Sequence, residues 1–591
     1  MKLGLLWRTL PYLRREQIVY RPWRVAQFWL YRALPGLARR WVTVPGGAPD
    51  ADARAVGAVR SLFDNAFVHL RQPLESYHDR LADLVAGKFT FLNRTVEIRE
   101  VDWSRRYESH LWNYQLHYFS YAVWCARAWL ERGDARPMRR CQALIDGWIG
   151  RARPGQSDGW DAYPVSRRAV NWIYAYALLD GSYDDHEFMG RWRASLYGQL
   201  DFLSRHLELH LLANHLLANA KALTIGGLFF AGDGRGRRWL DEGGRLLWRE
   251  LDEQVLADGG HYERAPMYHA LALADFLECY ALLRERGLAP PAEARLRAMA
   301  GFLEAMTYPD GTLALFNDSA NAEEARPLPI LAAAERICGR AEPALDFPLT
   351  GYFRWVSPDG AERIVVDAGP PAADYNTAHA HCDLLSYELW LGGRPVVVDA
   401  GVHGYGGDQF REYARSTRAH NTVSFGGREQ SEIWGSFRVA RRAAVTAAEA
   451  RGGAQTWEFR GAYRPYYDAR AEHERRIRRE AGGDWVFADT ARGGAAGRAE
   501  SFIHLHPGVE VRVEGGGVEC RAGSLRFRVE PFGAEQIEIA DGWHFPDFGL
   551  AQPSQTIKLS CRARAGEAFG YRISSQLSAV SQTRGSLLAE S

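Results

Sequence analysis

The chain has no CxxC pair, no signal-peptide core and no apolar run of the roughly 18 residues a membrane span needs, and each absence removes a class of protein. Its seven cysteines, Cys125, Cys141, Cys279, Cys338, Cys382, Cys520 and Cys561, are scattered and odd in number. Neither a disulfide framework nor a thiolate zinc site is expected, and the thiols read as small buried hydrophobes. Near the start, Arg8, Arg14 and Arg15 interrupt the apolar patch and no small-residue cleavage site follows, so the cytoplasm is the expected compartment and the periplasm the alternative. Charge of one sign is also missing. A formal net charge of +1 excludes a general polyelectrolyte role and gives no reason to expect nucleic acid; an anionic partner must be held by local basic residues.

What is present is enough chain for two or three domains, 591 residues, with 47% hydrophobic and 25% charged side chains. Twenty tryptophans are many, and large helical cores explain them better than sugar-stacking platforms. Residues 1–54 form a basic N-terminal segment and linker; in its first 34 residues Lys2, Arg8, Arg14, Arg15, Arg21, Arg24 and Arg32 face only Glu16. Such a Trp-containing amphipathic stretch suits an anionic membrane surface. Breaks expected at Pro22 and Pro35 favour docking on the protein's own body instead. Residues 55–347 repeat apolar positions at three-and-four spacing, as in YFSYAVWCARAWLERG and YHALALADFLECYALLRERG, which predicts successive helix pairs in an open solenoid or a closed toroid. From 348 to 575 the texture changes to short alternating runs between Gly-rich turns, predicting an antiparallel β-sandwich; 576–591 is a polar tail.

Four strings carry chemistry. In HAHCDLLSYELWLGGRPVVVDAG, His379 and His381 alternate, predicting side chains on one face of an extended segment, and Asp399 follows a valine run that delivers it to a sheet rim. RSTRAHNTV adds His420, and together these look like a metal site beside a proton-transfer residue. In NHLLANAKAL, Asn214 suits a helix cap, while His215 and Asn219 share one face of an apolar helix. In DGGHYERAPMYH, Pro266 suits the first helical position, Tyr268 the first turn, and Tyr262, Glu263 and Arg264 the loop before it.

Taken in order over about residues 100–430, these strings resemble the heparinase II/III family of polysaccharide lyases. The resemblance implies an incomplete (α/α) toroid followed by an antiparallel β-sandwich, with the cleft between them. It implies β-elimination on a uronic-acid-containing anionic polysaccharide, leaving a 4,5-unsaturated uronate end. Asn214 would neutralise the uronate carboxylate, with His215 beside it, and Tyr268 would protonate the leaving oxygen. His379 would act as base or carboxylate contact. Depression of the Tyr268 phenol by a cation, for which Arg264 is the candidate, is expected if it also serves as base. Tyr262, Glu263, Arg264 and Arg415 are the expected substrate contacts. By the same resemblance His381, Asp399 and His420 would hold a structural Zn²⁺; Cys382, where alanine is commoner in the family, takes no metal role.

Three other readings compete. A glycan-binding or exopolysaccharide-biosynthesis protein would keep the scaffold without vigorous turnover. A non-haem iron or cupin-like oxygenase would use His381, Asp383 and His420. A glycoside hydrolase would pair Asp258 with Glu263. The sugar, endo or exo cleavage, and oligomeric state are not legible.

Overall fold

The computed structural model describes residues 2–34, 36, 42, 47–66 and 77–576; nearly all of the polar tail lies outside them. Helices dominate from Ala53 to Cys338 and antiparallel sheets from Asp346 to Gln576. No described helix is long and apolar enough to cross a membrane.

In the helical half, consecutive helices pair and bury their apolar faces in one large core, an incomplete toroid. Trp112, Trp148, Trp172 and Trp192 are almost wholly buried there, as the core reading of the tryptophans requires. One hairpin, Lys88–Phe91 with Arg94–Glu97, interrupts this half; its two four-residue strands were too short to show as an alternating run.

In the β half, an eight-stranded sheet packs over sheets of five and four strands. Phe353, Tyr387 and Leu389 of the five-stranded sheet share one core with Phe459, Phe487 and Tyr571 of the eight-stranded one. The alternating runs DWVFADT and LRFRVEP are strands as expected. Strands Gly497–His504, Gln536–His544 and Gln552–Ala563 were not singled out in the sequence.

The halves are pressed together. Phe302, Met306 and Tyr308 pack with Phe347, Tyr352 and Trp390, so a core crosses the boundary near residue 347. At Gly260 a side chain would place its Cβ 1.9 Å from Thr350 Oγ1, so only glycine lets the loop before Tyr268 approach the sandwich this closely. Asp258 binds the Leu349 and Thr350 backbone amides at 2.9 and 2.7 Å, fastening the same seam.

The basic N-terminal segment lies on the protein's own body as helices Lys2–Thr9 and Arg15–Ala33. The second runs straight through Pro22, contrary to the expected break. Pro22 sits on the exposed side of the helix, as does Ile18, whose carbonyl it deprives of an amide partner. This strap touches both halves. Arg14 pairs with Glu253, and the Tyr31 hydroxyl lies 2.5 Å from His206 Nε2. On the β side Arg8 pairs with Glu432 at 2.7 Å, and Trp434 Nε1 donates to Thr9 Oγ1 at 3.2 Å.

Candidate active site

A cleft of about 1460 Å³ opens between the two halves and under the strap. Asn214, His215 and Tyr268 line it from the helical side, and His379 and Tyr405 from the β side. All four expected catalytic residues therefore meet in one space.

The helix Ala213–Phe229 carries the first pair. Asn214 is not its cap: the capping position is Leu212, whose side chain makes no cap bond. Leu212 and Ala213 have φ of +63° and +52°, a conformation non-glycine residues rarely adopt, and this sharp entry turns Asn214 to the cleft. Asn219 is buried a turn later. Its Oδ1 accepts the Glu208 amide at 2.8 Å, and its Nδ2 donates to Glu208 Oε2 at 3.1 Å and to Ser166 Oγ at 3.0 Å. Glu208, so held, meets His215 Nδ1 at 3.1 Å, and the imidazole also packs on Tyr163 with centroids 4.7 Å apart. Burial alone would push the His215 pKa down, but the Glu208 carboxylate outweighs it and raises the pKa.

Tyr268 sits in the first turn of Pro266–Glu285, with proline at the first position as predicted. Its hydroxyl is 2.8 Å from that of Tyr405, and its ring stacks on His379 at 3.9 Å. Burial, then Tyr405 and Asp318, hold the phenol well above its ordinary pKa, so the expected cationic depression does not occur. Arg264 points elsewhere: its guanidinium donates to the carbonyls of Thr350, Tyr262 and Leu349.

His379 and His381 lie in a loop before strand Tyr387–Leu391, not on an extended strand, yet both reach one carboxylate. Asp318, wholly buried, accepts from His379 Nδ1 and His381 Nε2, each at 2.8 Å, and pairs with Arg411. Burial opposes its charge, but Arg411 and the imidazoles hold its pKa well below the usual carboxylate range. Asp318, Tyr405 and Glu208 were missed in the sequence. Each is a single polar residue in a loop, where no periodicity marks it.

The expected substrate contacts do not line the cleft. Tyr262 is buried against Tyr375. Glu263 is buried behind the site, its Oε2 3.7 Å from His379 Nε2 and its carboxylate bonded by the Asn214 backbone amide. Arg415 donates to the carbonyls of Ala380 and Gly435, clamping the histidine loop. With Asp258 spent on the domain seam and Glu263 buried, the paired-carboxylate hydrolase reading has no site.

Behind Asp318, the Nδ1 of His381 and the Nε2 of His420 are buried without a hydrogen-bond partner. They and the Asp383 carboxylate converge closely enough to hold one metal ion. Asp399, expected as the third ligand, instead binds the opposite nitrogen of His420 at 2.8 Å and orients its ring. Two orphaned imidazole nitrogens and a carboxylate are a donor set that suits Zn²⁺. All three residues are buried and none lines the cleft, so a substrate in the cleft has no path to this cluster as an oxygenase would need.

Residues 61–334 match the family model of the heparinase II/III N-terminus, and residues 339–578 that of the heparinase II/III-like C-terminal domain. A heparin-sulfate lyase of Pedobacter heparinus is 26% identical over 398 residues, 62% of this chain and 57% of that protein, so the match spans little more than half the relative's length. FtsZ-localized protein C of Caulobacter vibrioides is 27% identical over 270 residues, 44% of each chain. Among solved structures, heparinase III superimposes with a TM-score of 0.67 at 19% identity, covering 92% of this chain and 89% of that one. Chondroitinase AC lyase does so with 0.52 at 12%, covering 88% and 82%. At these identities the structural likenesses establish the fold.

Replacing Glu208 by Gln keeps His215 buried and removes its carboxylate. The His215 pKa should fall below about 6.5, the ordinary imidazole value, in a ring titration of histidine-labelled protein. Retention of a raised pKa would show that Glu208 does not hold the ring. In the wild type, the stability the pair adds should fade as pH rises through the folded pKa of His215, which is the raised one. It should fade again as pH falls through the folded pKa of Glu208, which its partners lower against burial.

Proposed function

This chain belongs to the heparinase II/III family, and from that premise we propose that it cleaves a uronic-acid-containing anionic polysaccharide by β-elimination. The observation that carries the reading is that Asn214, His215, Tyr268 and His379, far apart in sequence, line one cleft. In this scheme Asn214 donates a hydrogen bond to the uronate carboxylate, stabilising the enolate-like charge that develops as the C5 proton leaves. His379 takes that proton: Asp318 holds its Nδ1 and leaves Nε2 as the basic nitrogen. Tyr268, whose buried phenol stays protonated, gives its proton to the departing O4 and is replenished through Tyr405. His215 supports Asn214 at the carboxylate. The product is a 4,5-unsaturated uronate end.

The second reading, a glycan-binding protein linked to exopolysaccharide biosynthesis, uses the same cleft without turnover. The cytoplasm remains the proposed compartment, and seven buried, unpaired thiols support a reducing one.

A Zn²⁺ ion held by His381, Asp383 and His420, with Asp399 behind His420, is part of the proposal. When bound it supplies structural cross-linking, joining the His420 loop to the loop that carries His379.

A membrane contact is also proposed, through the outer side of the strap. Trp7, Trp23 and Trp29 are 70%, 56% and 66% exposed, with Ile18, Val19 and Leu30 beside Trp23 and Trp29 and the exposed Arg15 and Arg32 at the ends of the second helix. Such a face suits an anionic lipid surface.

Three experiments test these statements. Purified protein should raise absorbance near ~230 nm, where a conjugated unsaturated uronate absorbs, on at least one polymer among heparan sulfate, hyaluronan, alginate and bacterial exopolysaccharides; Tyr268→Phe should cut the rate by about 10²-fold or more with the fold intact. Silence across the panel favours the glycan-binding reading. Metal analysis should find about one zinc per chain, lost together with several degrees of Tm in His420→Ala and Asp383→Asn. Zinc retained in both variants would refute the site. The chain should float with phosphatidylglycerol vesicles and not with phosphatidylcholine ones, and replacing Trp7, Trp23 and Trp29 by Ser should abolish flotation. Equal recovery without vesicles would remove the lipid contact.

A further inference from the structure

The strap precedes the family-matched segments, 61–334 and 339–578, so the family models do not describe what it adds to the cleft. Its second helix is amphipathic in an unusual sense, with the polar side turned inward. Gln17, Arg21, Arg24, Phe28 and Tyr31, spaced by three and four, all line the cleft with Asn214, His215, Tyr268 and His379.

The arginines at the edges of this region are matched to carboxylates. Arg8 has Glu432, Arg14 has Glu253, Arg167 has Glu324, Arg411 has Asp318 and Arg442 has Asp374. Arg21 and Arg24 are different. Neither forms an ion pair among the described residues; Arg24 Nη1 donates only to Gln27 Oε1 at 3.1 Å, and Arg21 Nε to the His210 carbonyl at 3.3 Å. Across the cleft Arg438, from the sandwich, stacks on Trp434 at 4.5 Å and likewise has no carboxylate partner among the described residues. Arg21 and Arg438 are near enough to repel each other, and burial and that repulsion lower the Arg21 pKa. Glu208 and Asp161 partly balance Arg24, whereas Arg21 and Arg438 repel each other with no carboxylate paired to either among the described residues, an arrangement that a bound anion relieves.

The place of this cluster is defined by what the strap grips. Tyr31 and Arg21 bind His206 and His210, in the loop that leads directly into Asn214, and Arg24 is drawn by the charges of Glu208 and Asp161. The cluster therefore borders the carboxylate-neutralising end of the catalytic group.

We propose that Arg21 and Arg24 of the strap, with Arg438 facing them, form a subsite for the carboxylate or sulfate of the sugar next to the one being cleaved. The planar guanidinium forks suit either anion. Phe28, on the same helical face, offers the apolar surface on which that sugar's ring rests. This assignment rests on the lyase reading for its substrate class, and its test separates the two.

The test uses the full chain. Calorimetric titrations measure binding of unsulfated heparosan and sulfated heparan tetrasaccharides to protein carrying Tyr268→Phe, which prevents turnover. The R21A/R24A pair and R438A, each in that background, should weaken binding about tenfold or more and flatten its salt dependence. R21K/R24K, which keeps the charge, should recover part of it. A loss seen only with the sulfated ligand assigns the site to sulfate, and a loss with both assigns it to carboxylate. In the active enzyme the R21A/R24A defect should fall mainly on KM rather than kcat. R438A, which lies outside the strap, answers for the site if the strap variants fold poorly. Unchanged affinity in R438A and in well-folded R21A/R24A overturns the proposal, as does absence of any binding to the parent. If the parent binds but the active enzyme yields no unsaturated product, the lyase reading falls and the subsite stands. If it cleaves with KM unchanged by the variants, the subsite falls and the lyase reading stands.

Discussion

A carboxylate with no access to water, Asp318, organises this protein. A buried charge is stable only when its partners satisfy it, and Asp318 has three: Arg411 and the imidazoles of His379 and His381. The histidines come from one loop and Arg411 from the short helix Gln409–Ala414, so satisfying one anion fixes the two segments against each other. The side of Asp318 facing the cleft orients His379 against Tyr268. The side facing inward sets the tautomer of His381, leaving Nδ1 free toward His420. A cleft-lining histidine and a cation-ready cluster are thus two consequences of the same ionic centre.

The same logic recurs on the opposite wall at smaller scale. Glu208 is buried, held by Asn219 and Ser166-anchored contacts, and turned on His215. In both places a buried acid behind a histidine does the positioning, and the imidazole it holds lines the cleft. Arg264 and Arg415 serve the scaffold in another way: each uses its guanidinium to tie backbone carbonyls together, one across the domain seam and one under the histidine loop. An arginine in a promising string is as often a fastener as a ligand, and burial of its fork decides which.

Much of the architecture was legible because periodicity is a local property. Three-and-four spacing identified the helical half and alternation the sandwich, and the glycine and proline before Tyr268 marked the start of its helix. Asn214, His215, Tyr268 and His379 were also legible, since each sits in a long string with a family resemblance. Their neighbours were not. Asp318 lies 61 residues from His379 and 93 from Arg411, and nothing in FNDSAN distinguishes a buried hub from a solvated turn. Arg21 read as one charge in a basic segment, because its lack of an acidic partner is a fact about space.

By itself, the sequence determined the order of the halves, the kind of elements in each and the strings in which the candidate residues lie, because these follow from neighbours along the chain. Only the tertiary structure decided which carboxylate faces which histidine, that Asp383 rather than Asp399 joins the free nitrogens, and that the strap turns its arginines to the cleft. Those depend on which groups burial deprives of water, and burial is settled only when distant segments have packed.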